Sequence, residues 1–187
     1  MIMQFYKIVL LFVVCIVQAL NASAQSSVVK INLVNTFAGA VSLGVETPLG
    51  SKSTFSIDAS YQGWDVFESF KMRHILVQPE LRWWSKYRYW RMFFGVHALY
   101  AQYNVGKLGL FGLDGSRVEG AAYGGGVSYG YQWVLANRLN LEATVGVGYA
   151  RIDYKKYSCE QCGDFKGDGT VDHIGPTKLG VSLIYLL

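Results

Sequence analysis

Two groups of residues in this sequence have the types and spacing to do chemistry. The first is the run from Cys159 to His173, where Cys159 and Cys162 stand three residues apart and Asp164, Asp168 and Asp172 recur at every fourth position. A cysteine pair this close reads as a local disulfide in an exported chain, or as half of a metal site. Zinc needs four ligands, and Cys159, Cys162 and His173 make three. The three aspartates fall at the first, fifth and ninth places of a calcium-type loop with Gly169 at the sixth, but Lys166 takes the third place and Gly175 the twelfth. Asp164, Asp168 and Asp172 are thus an incomplete calcium set, and no metal or cofactor is expected.

The second group is scattered: Lys30, Glu46, Asp58, His74, Glu80, Arg82, His97, Glu142 and Lys178. Glu80 with His74 or His97 would make a general acid–base pair, and Ser158 with His173 a nucleophile and its base. Equally, charges enclosed by a protein must pair with one another whatever they do. The elements that carry these residues decide between the two readings.

Those elements have a period of two. From Glu119 to Leu135 the odd positions include Tyr123, Val127, Tyr129, Tyr131 and Trp133, whereas the even ones are Ala122, Gly124, Gly126, Ser128, Gly130 and Gln132. Five glycines in seventeen residues, each costing a helix about 1 kcal/mol relative to alanine, argue for a strand. The same alternation predicts strands from Val29 to about Phe37, Val41–Thr47, Phe55–Gln62, His74–Trp83, Met92–Ala101, Leu139–Tyr149 and Thr177–Leu187, eight in all. Pro79 is the discordant residue, since a proline inside a strand predicts an edge or a bulge. Asn104–Val118 and Tyr154–Ile174 read as long loops, and connections alternate short and long, apart from a brief first one. That is the plan of an up-and-down barrel with turns at one end and loops at the other.

Ahead of the strands, Lys7, the apolar run Ile8–Leu20 and the small residues to Ala24 have the layout of a signal peptide, cleaved after Ala24. The run is too short for a spanning helix, which needs about 20 residues. Residues 25–187 then form one domain. Their apolar and aromatic content, with 21 glycines in the whole chain, fits a wall whose two faces alternate between lipid and lumen. A formal charge of +4, three of it after loss of Lys7, gives no case for nucleic acid. P-loop, G-x-S-x-G and HExxH motifs are absent, and the glycines near position 125 open no helix.

The expected fold is therefore all-β: an eight-stranded antiparallel up-and-down transmembrane β-barrel preceded by a cleaved signal peptide. A lipocalin-like soluble barrel would reverse the faces. With the small, polar face inward, all nine scattered charges and histidines point into the lumen. An eight-stranded interior is just wide enough to be filled by side chains, so they predict an ionic plug, with Gly44, Gly95, Gly124, Gly126, Gly130, Gly146, Gly148 and Gly180 making room for long charged chains.

Val77-Gln78-Pro79-Glu80-Leu81-Arg82-Trp83-Trp84, Gln102-Tyr103-Asn104-Val105-Gly106, the Glu119–Leu135 strand, Cys159-x-x-Cys162-Gly163 and Gly175-Pro176-Thr177-Lys178 follow one another in this order. The chain in this respect resembles a Bacteroidetes family of small exported proteins classed as a domain of unknown function. The resemblance implies an outer-membrane barrel encoded near fimbrial or other surface-structure loci, and it implies no catalytic residues. Expected partners are outer-membrane lipid, the barrel-assembly machinery during insertion, and surface or fimbrial proteins met through the loops. The leading expectation is a non-enzymatic barrel displaying its loops for adhesion, envelope stability or support of a surface assembly. The rival is an outer-membrane enzyme that hydrolyses or transfers acyl chains, with His173 at its centre.

Overall fold

The computed structural model describes residues 27–63, 71–108, 113–157 and 165–187. The expected signal peptide, Ser158, Cys159, Cys162 and Asp164 lie outside the described residues. Eight strands close into one antiparallel ring, each paired with its sequence neighbours and the last with the first. They are β1 (Val28–Asn32), β2 (Val41–Pro48), β3 (Ser53–Gln62), β4 (Lys71–Trp84), β5 (Arg91–Leu108), β6 (Leu113–Ala136), β7 (Leu139–Tyr157) and β8 (Phe165–Leu186).

The predicted faces hold through most of the ring. Serines, glycines and charges turn inward, while Leu43, Leu81, Phe94, Val96, Val127, Val145 and Leu179 are exposed outside. The hydrophobic core is accordingly small, a stopper of Val28, Trp84, Tyr89, Phe93 and Ile184 at the end where the turns lie. The rings of Trp84 and Phe93 are 4.9 Å apart, and the indole N–H of Trp84 donates to Thr54 Oγ1 at 2.9 Å. Burial in this stopper, with Glu46 second, raises the Tyr89 phenol above its ordinary range.

Four expectations need correction. The first strand does not run to Phe37: it stops at Asn32, and Leu33–Phe37 is a short helix, α1. Asn32 caps it, its side-chain oxygen accepting from the backbone N–H groups of Val34 (3.0 Å) and Asn35 (3.3 Å). The supposed long loops are largely strand, since β5 and β6 stay paired up to Leu108↔Leu113, and β7 and β8 up to Tyr157↔Phe165. Pro79 lies at neither an edge nor a bulge. It pairs with Ile57 of β3, and the β4–β5 ladder simply omits Gln78 and Pro79 between Val77↔Tyr100 and Glu80↔His97. Thr177 does not face outward, because the register shifts between Lys178 and Pro176 and turns its hydroxyl onto His97, 2.9 Å away.

Strand length divides the ring. β1 has 5 residues and β6 has 24, so β5 to β8 rise well beyond the ends of β1 to β3 as a curved crown. β1 pairs with β8 only over Asn32↔Ser182 to Val28↔Leu186. Above this, among the described residues, β8 is paired on its β7 side alone, with α1 packed against its lower part.

Candidate functional site

Alternation on β1, β2, β3, β4, β7 and β8 delivers seven charged side chains to one level of the lumen. Arg82 is their hub. Its Nη1 donates to Glu46 Oε2 and Glu142 Oε2, both at 2.9 Å, and its Nε to Glu80 Oε2 at 2.7 Å. The guanidinium also lies over the Phe93 ring, 4.3 Å from its centroid, which joins the plug to the apolar stopper below. Lys30 pairs with Glu46 and donates to Ser56 Oγ at 3.0 Å. Lys178 Nζ donates to Asp58 Oδ2 at 2.8 Å and to Glu80 Oε2 at 2.9 Å. Ser128 donates to Glu80, and Thr144 to Glu142.

Four carboxylates thus share three cations in a space where Glu46, Glu80, Arg82 and Glu142 are almost fully enclosed. A carboxylate in such a network is already spoken for by its partners and is a poor proton acceptor for a substrate.

The two lumen histidines lie outside this network. His97 meets Thr177, and His74 meets Ser60 Oγ at 3.2 Å. Neither is bonded to Glu80 among the described residues, so the alternative acid–base pair is not assembled. Ser60 and His74 do form a serine–histidine contact, but Nδ1 of His74 has no partner among the described residues, and a triad lacks its orienting acid there. His173 stands on β8 opposite Ala150, above Lys178.

Asp168 and Asp172 sit on an extended strand opposite Lys155 and Arg151, about 13 Å apart along it, whereas the third aspartate of the set, Asp164, lies outside the described residues. Asp172 accepts from the Tyr149 hydroxyl at 2.6 Å.

Several glycines differ in role from the spacers expected. A Cβ on Gly95 would meet Glu80 and Ser128, as anticipated, and one on Gly44 would meet Asp58. At Gly130, however, the neighbour is the Phe93 ring, and at Gly124, Gly126 and Gly148 it is the backbone of the adjoining strand.

Above the plug the lumen widens into a cup of about 730 Å³ that sequence reasoning did not anticipate. Gln62, His74, Tyr103, Gly120, Tyr154 and Gly169 are among its lining residues. Tyr103 lies across Gly120 of β6, and its hydroxyl donates to the Asp153 carbonyl of β7 at 3.2 Å. Tyr154 lies over Gly169 in the same manner. The signal for these pairs is in the sequence, a tyrosine at the start of each supposed loop (Tyr103 just before the first, Tyr154 opening the second) and a glycine in register, but only the strand pairing reveals it.

Fold and site together define a closed eight-stranded antiparallel barrel, plugged by ion pairs at one end and open at the other. The chain belongs to the family described as "Protein of unknown function (DUF3575)", whose model matches residues 8–187. No curated protein and no solved structure matches it.

Proposed function

We propose that this protein is a non-enzymatic outer-membrane barrel, exported by a cleaved signal peptide, whose plug fixes the wall and whose crown is displayed at the cell surface. The observation that carries the reading is the outer face: a belt of exposed Leu, Val, Phe, Tyr and Trp around a ring whose charges are inside. On β6 the belt from Tyr123 to Trp133 covers about 33 Å of strand, or about 25 Å across a bilayer at a tilt near 40°. Aromatics stand at both margins, with Tyr100, Tyr123 and Tyr149 towards the crown and Trp83, Trp133 and Tyr185 towards the turns. Beyond the upper margin the outward positions become Glu119, Arg151, Asp153, Lys155, Asp168 and Asp172.

In this reading the chain meets outer-membrane lipid around its belt and the barrel-assembly machinery during insertion. A plug of this density conducts no solute, so adhesion, envelope stability or support of a surface assembly is the task, met through the crown. The test is Val127→Arg in full-length protein refolded into bilayers. A cost of about 2–4 kcal/mol is expected for a cation at the midplane, and a harmless substitution would sink the belt. Membrane fractionation of the native protein checks the location. For the enzymatic rival, His173→Ala should leave the acyl pattern of the outer-membrane lipid unchanged, and an altered pattern would overturn the non-enzymatic assignment.

A further inference from the structure

Among the described residues, the upper part of β8 is a strand edge without a neighbour on the side away from β7. β1 ends at Asn32↔Ser182, yet β8 continues to Phe165, and among the described residues its stretch from Phe165 to Asp172 pairs only with β7. An unpaired row of backbone N–H and C=O groups is a template for another extended segment, and proteins usually blunt such rows. Pro176 and the register shift beside it interrupt the row only lower down. Above them the edge stays extended, and it borders the cup, which Asp168, Gly169 and Thr170 help to line.

We infer that this edge is a docking site for one extended strand of a partner protein, added to the crown beside β8. The inference rests on the surface-display reading only in assigning the crown to the outside of the cell. The side chains specify the occupant. Asp168 and Asp172 both face outward, each with a cation across from it on β7 (Lys155 and Arg151) and, among the described residues, no paired strand on the opposite, open side. A second copy pairing antiparallel through its own β8 and centred on Thr170 would set Asp168 against Asp172 twice, and like charges directly opposite are unfavourable. A strand with Lys or Arg at alternate positions meets the two aspartates instead. Its intervening side chains then point into the cup, towards Tyr154 and Gly169, where there is room for them. The recognised chemistry is therefore an extended peptide that is basic on one face and apolar or aromatic on the other.

The experiment uses the full chain in detergent micelles and two labelled dodecapeptides, one alternating lysine with valine and tyrosine, the other identical with glutamate for lysine. The lysine peptide is expected to bind at least about tenfold more tightly, and the double variant Asp168→Lys with Asp172→Lys to reverse that order, since opposite charges across a strand pair attract and like charges repel. Backbone amides of residues 167–172 facing the edge should exchange rapidly in the free protein and slow when the lysine peptide is added. Amides already protected without peptide, equal binding of both peptides, or binding that leaves exchange at 167–172 untouched would each overturn the proposal. Binding in micelles by a chain that fractionates away from the outer membrane would break the location reading and leave the docking edge standing.

Discussion

The two halves of this barrel solve opposite problems with the same alternating strands. In the lower half both faces are occupied: apolar side chains cover the outside, and inside, Arg82 is gripped by Glu46, Glu80 and Glu142 over a stopper of Trp84 and Phe93. In the crown the lumen is empty enough to form a cup, the outer face carries charges, and among the described residues β8 lacks a partner on one side. Ion pairs and packed rings are concentrated in the lower half, and open backbone, among the described residues, in the crown. Eight strands close in both cases, so the difference arises from strand length and from what fills the interior.

The sharpest way to break this comparison is to remove the hub. Arg82→Met leaves three enclosed carboxylates without their common cation, and a loss of about 3–5 kcal/mol is expected in urea unfolding from bilayers. A variant as stable as the parent would mean that the plug does not hold the lower half. Next comes Gly130→Val, which drives a side chain into the Phe93 ring and should cost about 1–3 kcal/mol. Combining it with Phe93→Ala should cost less than the two changes summed, because the added bulk then has somewhere to go.

In the crown the expected effects are smaller. Tyr103→Phe removes one hydrogen bond to the Asp153 carbonyl and is expected to cost about 0.5–1.5 kcal/mol. Tyr149→Phe, which loses an exposed contact with Asp172, should stay within about 0.5 kcal/mol in the same assay. If either crown change matched Arg82→Met, the division into a rigid and an open half would have to be abandoned. Amide exchange supplies an independent measure: protection should rise steadily along β6 from Leu113 towards Gln132.

Much of the lower half was legible because a strand with an apolar outer face and a packed, polar lumen on the other side must alternate. Glu46, Glu80, Arg82, Glu142 and Lys178 could be placed inward from parity alone, and charges enclosed together pair for want of water. Which one acts as hub was not legible, since that depends on reach across the ring. The crown was misread for a related reason. Tyr154, Asp168, Thr170 and Asp172 lie on strands with water on both sides, so nothing enforces a period of two, and the segment looks like loop. The helix α1 was hidden by Leu33 and Phe37, which fall on the apolar parity of Val29 and Ile31, although Asn35 breaks that parity and Asn32 is a good helix cap. Thr177 was assigned outward because a one-residue shift at Pro176 reverses every face above it, and parity counting passes over such a shift.

The unequal strands also bear on how this molecule would carry tension. The hydrogen bonds of an antiparallel ladder lie across the strands, so a filament attached at the upper edge of β8 and pulled away from the cell along that strand would load all of those bonds together in shear. A sideways pull would peel them one after another. The same strand descends to Lys178, which is clamped between Asp58 of β3 and Glu80 of β4, so traction applied at the crown would pass into the far wall of the barrel through the plug.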